Sequence, residues 1–408
     1  MAPGPQRTLH ILLVSSLYPP LVVGGAELVA SYLAEELAAR GHRVTVLSSC
    51  APGDEGPIER VNGVDVLRFF PRNFYWGFEP GKRALPLRAL WHLRDSWNGA
   101  VARRVRRIID DAPPDVMHSH ATSGFSPAIW ATAKRAQVPT VHTAHDYHLA
   151  CPRTTLLTRR GAVCTAPNVG CRAFRAWHLS TTRHIDVFCS PSRFLLDYFT
   201  QRGLKAGRAC VVNNGIPLPD TGLATPGHAD HTVELLFVAR LTPEKGTLVV
   251  LDAMRRLPPD FPVRLTVLGK GPLEEAVRAA AETDRRITFR GYLRGEEKRQ
   301  AFAAADLLLV ASLWHETAGL VLIEAASHGL GVIASRMGGI PEFLVDGQTG
   351  LLVAPGDADA LAAAILHLAG DPALLTAIRR NAPSFARQFS VRRMTDEYLD
   401  IYRSLTPH

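Results

Sequence analysis

At 408 residues, with 47% hydrophobic and 21% charged side chains, the chain is too long for one ordinary core and too evenly mixed for a disordered or fibrous protein. No apolar run reaches the roughly 18 residues that span a bilayer. The net charge of +8 is uneven: residues 1–205 hold 25 Lys and Arg against 15 Asp and Glu, and the remainder holds 21 against 23. Either the first half faces an anionic partner or the excess reflects the chain's general preference for arginine.

The opening "QRTLHILLVSSLYPP" puts Arg7 before a short apolar run, as a signal peptide does. A helical pattern follows directly, without a small-residue cleavage site, so the run reads as a buried first strand of a cytoplasmic protein. Six cysteines without a secretory signal do not suggest a disulfide framework. Further strand candidates in the first half are 42–49, 64–70, 115–120, 139–146 and 186–192, after the first at 9–16. In the second half they are 233–241, 263–271, 287–293, 306–312, 331–335 and 350–355. Helical patterns fill the gaps, for example at 26–40, 97–109, 246–256, 272–282, 295–304 and 358–369. Most strands are continuously apolar, as burial on both faces requires. This predicts an α/β protein of two Rossmann-like, doubly wound domains, 1–205 and 206–388. The aperiodic stretch 213–232 reads as the linker and the start of the second domain. The tail 389–408 carries an amphipathic helix with Met394, Tyr398, Ile401 and Leu405 on one face.

Strand ends followed by helix N-termini are where such sheets bind anions. After the first strand, Gly24 and Gly25 precede a helix and offer backbone amides without a Cβ, although the G-x-G-x-x-G dinucleotide fingerprint is absent. At the start of the second domain, "VARLTPEKG" places Arg240 at a strand end and Lys245 in the next turn. A guanidinium fork and a compact ammonium together suit a diphosphate, though such a pair can also be plain solvated surface. The stretch "HETAGLVLIEAASHG" then sets Glu316 in a loop and Glu324 in the second turn of an apolar helix starting near Ala318 or Gly319. The amides of Gly319 and Leu320 are helix-start donors. A carboxylate at 324 needs polar partners, unless it snorkels at the helix edge.

Taken together, "GGAE" (24–27), "ARLTPEKG" (239–246), "LGKGPLEE" (268–275), "RGYL" (290–293), the E-x7-E pair at 316 and 324, and "MGGIPEFLVDGQTGLLVAPGD" (337–357) resemble the GT4 family of retaining glycosyltransferases. The match runs in order over nearly the whole chain. The resemblance implies the GT-B fold, with two domains facing each other across a cleft and the C-terminal helix returning to the N-terminal domain. It implies transfer of a sugar from a nucleotide-diphosphate sugar to an acceptor hydroxyl, in the synthesis of a glycan, glycolipid or other glycoside. Carried over by position, Arg240 and Lys245 bind the diphosphate, and Gly319, Leu320 and Gly25 meet its distal phosphate. Glu324 binds the ribose hydroxyls, and Glu316 contacts the transferred sugar. The base lies near Gly269 and the backbone of Tyr292 and Leu293. His145, ending a strand with Asp146, corresponds to the histidine the family places near the sugar; a strand-end histidine is otherwise an ordinary polar cap. No metal and no cofactor are implied, the sugar nucleotide being a substrate, and no nucleic acid is an expected partner. A sugar-nucleotide epimerase, a phosphorylase or a non-catalytic nucleotide-sugar-binding protein would share this architecture.

Two features stay outside that frame. Cys151, Cys164 and Cys171, with His148 as a conceivable fourth ligand, could form a structural metal site, but they lack a C-x-x-C pair and read first as reduced thiols in a loop. Residues 82–107 combine tryptophans with a dense arginine face. Trp97, Val101, Val105 and Ile108 form a stripe that suits packing on the sheet. The alternative is peripheral contact with an anionic membrane surface, suited to a lipid-linked acceptor at the inner membrane face.

Overall fold

Apolar residues at successive positions make strands that are covered on both faces, and the computed structural model contains two sheets of this kind. It describes residues 7–79, 81, 83–158, 161–218 and 232–406. The described residues divide into two units, one comprising residues 1–155, 165–217 and 391–408, the other 156–164 and 218–390.

The first unit runs β1 (His10–Ser15), α1 (Gly25–Ala39), β2 (Arg43–Ser49), β3 (Glu59–Val61), β4 (Val64–Phe69), α2 (Leu85–Ser96), α3 (Gly99–Asp111), β5 (Val116–Ser119), α4 (Ala128–Arg135), β6 (Thr140–Thr143), α5 (Val169–Thr181), β7 (Val187–Ser190), α6 (Arg193–Thr200) and β8 (Arg208–Val211). Its sheet has the order β3-β4-β2-β1-β5-β6-β7-β8. All neighbours pair in parallel except β3, which turns back antiparallel on β4. The order reverses between β1 and β5, so the carboxyl ends of those strands border the crevice where such sheets bind ligands.

The second unit runs β9 (Val233–Val238), α7 (Thr247–Arg256), β10 (Val263–Leu268), α8 (Glu274–Thr283), β11 (Ile287–Gly291), α9 (Gly295–Ala303), β12 (Leu307–Val310), α10 (Leu320–Ser327), β13 (Gly331–Ser335), β14 (Gly350–Val353), α11 (Ala358–Gly370) and α12 (Pro372–Ala386). Its six strands are parallel in the order β11-β10-β9-β12-β13-β14. The reversal here lies between β9 and β12. Leu235, Phe237, Leu265, Val267, Leu307 and Leu309 form the centre of its core, close-packed so that the loops beyond are held on a rigid base.

The last helix, α13 (Val391–Leu405), belongs to the first unit. It buries Met394, Tyr398 and Ile401 as its periodicity requires, and Thr395, Leu399 and Tyr402 as well, whereas Leu405 is only partly covered. The boundary expected after residue 205 falls instead after Pro217, because the short β8 adds to the edge of the first sheet through β7. Half-polar β8 and the three-residue β3 carry too little periodicity to stand out as strands. Most of the expected linker, residues 219–231, lies outside the described residues. The arginine-faced helix starts at Gly99, not at Trp97, because the side chain of Asn98 caps it by accepting from the amides of Ala100 and Val101. Its buried stripe is Val101, Val105 and Ile109 rather than Ile108. No single helix among the described residues is long and apolar enough to cross a membrane.

Candidate functional site

The loops after β9 and β12, on either side of the second sheet's reversal, carry the acidic and basic residues singled out by the sequence. Thr242 leads into a single 3-10 turn, Pro243–Lys245, which ends on Gly246 in the left-handed region at φ +74°. A Cβ there would lie 1.8 Å from the carbonyl oxygen of Ala311, so only glycine lets this turn press against the chain leaving β12. The contact is reinforced by the amide of Leu313, which donates to the carbonyl of Glu244 at 2.8 Å. Lys245 and Glu316 meet as a result: Lys245 Nζ donates to Glu316 Oε1 at 2.6 Å, and Ser312 Oγ donates to the same oxygen at 2.6 Å. The lysine also lies 5.0 Å from the ring centroid of Trp314. Side-chain exposure of 19% and 13% leaves this pair sheltered but reachable. Gly338, at φ +61°, lets a second loop approach the backbone of Glu316, and the amide of Gly339 donates to the Glu316 carbonyl at 2.8 Å.

Arg240 follows β9 more loosely; its side chain is 57% exposed and only 3.8 Å from Glu244. Gly319 caps α10, which begins at Leu320, so the amides at this end have no intrahelical acceptor by position. Glu324 lies in the second turn, as its spacing requires, but it does not stand alone in an apolar helix. Lys298 of α9 donates to both its oxygens, at 2.9 and 2.8 Å. Gly269 and Tyr292 follow neighbouring strands, and the amide of Gly269 donates to the carbonyl of Gly291 at 2.8 Å. The exposed ring of Tyr292 has Lys270 Nζ 5.1 Å and the Arg294 guanidinium 5.0 Å from its centroid, with Leu293 next in chain.

In the first unit, Gly25 opens α1, and the amide of Gly24 is taken up by the carboxylate of Glu27 at 2.8 Å. His145 and Asp146 do not end β6, which stops at Thr143; they stand in the turn beyond it. His145 Nε2 is 2.9 Å from His120 Nδ1, with the two rings stacked. Behind them His118 bridges Tyr402, at 2.6 Å, and Thr143, at 2.8 Å, and Thr143 in turn meets Tyr398 at 2.7 Å. Thus α13 clamps the carboxyl ends of β5 and β6 by hydrogen bonds.

Burial holds these histidines neutral at ordinary pH: His145 is pushed down to about 4 and His142 to about 3, while His118 and His120 lie well below the usual histidine range. Burial likewise raises Asp146 to about 6, against the pull of the His148 amide.

No three His, Cys, Asp or Glu side chains among the described residues converge as a metal-binding group, Cys151, Cys164, Cys171 and His148 included. All six cysteines are free thiols. Cys189 Sγ, on β7, lies 3.7 Å from Cys210 Sγ, on the β8 that sequence reading passes over. Sequence reading also missed Lys298, Ser312 and the tyrosines of α13 as partners of site residues. The spacing of Lys298 within α9 gave no sign of a carboxylate on a different helix. Tyr398 was visible only as a core position.

Comparison with known proteins places this geometry. Residues 24–215 match the glycosyl transferase 4-like domain model, and residues 232–371 match that of glycosyl transferases group 1. The glycogen synthase of Mycobacterium tuberculosis (strain H37Rv) is 32% identical over 382 residues, covering 90% of this chain and 87% of its own. The phosphatidyl-myo-inositol mannosyltransferase of Mycobacterium leprae is 28% identical, covering 85% and 84%. The solved structure of Anabaena Alr3699/HepE in complex with UDP superposes with a TM-score of 0.69 at 20% identity, covering 97% of this chain and all of that one. The chain belongs to the group 1, GT4-like glycosyltransferases, and its fold is GT-B.

Proposed function

We propose that this glycosyltransferase moves a sugar, with retention of anomeric configuration, from a nucleotide-diphosphate sugar to an acceptor hydroxyl. The observation that carries the reading is the Lys245–Glu316 pair at the reversal point of the second sheet, where a cation for phosphate and a carboxylate for sugar share one hydrogen bond. The complex of Anabaena Alr3699/HepE with UDP supports a nucleotide-diphosphate donor.

In the proposed step the bond between the anomeric carbon and the diphosphate oxygen breaks. The acceptor oxygen bonds to the same face of that carbon, and its proton passes to the departing diphosphate. Lys245, Arg240 and the amides of Gly319 and Leu320 stabilise the charge that develops on the leaving group, the part a metal ion would otherwise play. Glu324, held by Lys298, takes the ribose hydroxyls, and the base lies by Gly269, Tyr292 and Leu293. Glu316 orients the sugar without acting as a nucleophile. Neutral His145 can donate or accept a hydrogen bond to a sugar hydroxyl without carrying a charge. No cofactor enters this scheme.

The test begins with thermal shifts against UDP-, GDP-, ADP- and dTDP-sugars, because a ligand that binds only the folded state raises its apparent stability. One sugar nucleotide is expected to stabilise the protein and to release its nucleoside diphosphate on turnover. NMR of the glycoside formed should show the donor's anomeric configuration, and an inverted product would overturn retention. Undiminished turnover in Lys245→Ala and Glu316→Ala would overturn the site.

A further inference from the structure

The arginine-faced helix of the first unit does more than cover the sheet. Between the end of β4 and α3 a pocket opens, lined by Arg72, Arg103, Arg104 and Arg107 over Phe69 and Val101. By contrast, Arg106 on the same helix holds Asp110 at 2.8 Å, and Arg286 holds Asp284. The four arginines of the pocket have no carboxylate partner among the described residues. The one lining carboxylate, Glu55, accepts from the amide of Phe70 at 2.9 Å. Four like charges around one concavity repel one another, and an anion placed among them removes that cost.

The pocket is also held in shape. Arg72 sits in the left-handed region at φ +51°, where a residue with a Cβ stays only if its surroundings fix it. They do: Asn98 Nδ2 donates to the carbonyl of Pro71 at 2.9 Å, and Arg94 Nε donates to that of Arg72 at 2.9 Å. Arg104 lies over the ring of Phe69, 5.8 Å from its centroid, which limits the directions its guanidinium can take. Guanidinium forks arranged around an open pocket match the oxygens of a phosphate, which accepts several two-pronged contacts at once.

We infer that this pocket binds the phosphate group of a ligand other than the donor, either a soluble phosphate ester or the headgroup of a phospholipid. The inference rests on the first unit alone and stands or falls independently of the donor site.

The test uses the full chain, with inorganic phosphate and glucose 6-phosphate as soluble probes in titration calorimetry. Phosphatidylcholine vesicles with and without phosphatidylglycerol serve as the lipid probe in co-sedimentation. Arg103→Gln combined with Arg107→Gln should weaken binding of the responding probe at least about tenfold, the scale of losing charge-assisted hydrogen bonds. Both side chains are exposed and unpaired with carboxylates, so the fold should hold, which circular dichroism checks. Arg106→Gln removes one charge from the same helix outside the pocket, and it should change binding less than about twofold. Soluble-probe binding lost only in the pocket variant identifies a phosphate ester. Binding confined to phosphatidylglycerol vesicles and lost in the same selective way identifies a lipid headgroup. No binding of either probe, or equal weakening per charge removed in Arg106→Gln and the pocket variant, overturns the inference.

Discussion

The two sheets reverse order in the same way, yet their reversal points carry opposite electrostatics. In the second unit the residues are charged and paired, Lys245 with Glu316 and Lys298 with Glu324, and they keep part of their surface open. In the first unit the residues are histidines, tyrosines and a threonine, buried except for the half-buried His145 and joined by hydrogen bonds between neutral groups. On the proposed function, the charged residues hold a diphosphate and absorb its leaving-group charge, and the uncharged ones meet sugar hydroxyls without attracting phosphate. The physical cause of the contrast is burial, which disfavours the charged form of a histidine enclosed in the fold.

The largest break in the comparison should come from the charged side. Lys245→Ala removes the cation proposed to meet the leaving group and leaves Glu316 with only Ser312 of its two hydrogen-bond donors. Loss of one such preorganised donor typically costs about 100- to 1,000-fold in rate. That reduction in kcat/KM is expected in a nucleotide-release assay, with Lys245→Arg recovering only part of it because the guanidinium fork does not fit one carboxylate oxygen beside Ser312.

On the neutral side the effects should divide by depth. His145→Ala should lower kcat/KM roughly ten- to a hundredfold, the worth of a hydrogen bond with an unsatisfied partner left behind, with little change in melting temperature. His118→Ala should do the reverse. It strands the hydroxyl of Tyr402, leaves Thr143 to Tyr398, and opens a cavity, costing about 2–4 kcal/mol in denaturant unfolding. Equal effects of the two variants on both measurements would erase the distinction drawn between a ligand-facing and a supporting histidine.

A gentler way to sharpen the comparison is pH. His142, His145, His148 and His178 have folded-state pKa values of about 3, 4, 3 and 4, against 6.5 when unfolded. Below pH 6.5 the unfolded chain therefore binds more protons than the folded one. The stability these groups confer is complete above that pH and is lost progressively as pH falls toward 4. Asp95 works in the opposite sense. Burial raises it to about 8 from 3.8, so its contribution is complete below pH 3.8 and disappears as pH rises toward 8. Unfolding free energy measured between pH 7 and 5 should fall on acidification, since four histidines oppose two raised carboxyls, Asp95 and Asp146. Asp95→Asn should steepen that fall, because it removes one of the two. A pH-independent unfolding curve would contradict the neutral-cluster picture.

Much of this was legible in the sequence, and the part that was not has a common cause. Continuous apolar runs located twelve of the fourteen strands among the described residues, and Lys245, Glu316 and Glu324 stood out because charges in or beside apolar segments need explaining. What failed to show were contacts between segments far apart in the chain. Tyr402 meets His118 across 284 positions, and Lys298 meets Glu324 from a helix whose own pattern is satisfied without that contact. Periodicity reports which face of an element is buried, not what the buried face touches. Glu324 shows the limit well: its spacing correctly demanded a polar partner, but sequence reading supplied only the ribose of a bound nucleotide.

That partner sets the smallest and most discriminating measurement. If Lys298 only neutralises Glu324, then Lys298→Met, which keeps most of the side-chain volume, leaves a part-exposed carboxylate that water can solvate at modest cost. Folding should then change by less than about 1 kcal/mol. The carboxylate would no longer be held from both oxygens, and the ribose hydroxyls would have to order it on binding. A loss confined to ground-state binding raises KM for the donor with kcat unchanged, and an increase of roughly three- to tenfold is expected for one poorly ordered hydrogen-bonding group. Glu324→Gln in the same background tells the two roles apart. With Lys298 present, the amide cannot accept the lysine at both of its terminal atoms and should raise KM further. With Lys298→Met, the amide lacks only the charge, and the two substitutions together should cost less than the sum of each alone. Additive effects would mean that Lys298 and Glu324 act on the donor independently, and the pair seen between α9 and α10 would then be a surface contact rather than part of the nucleotide site.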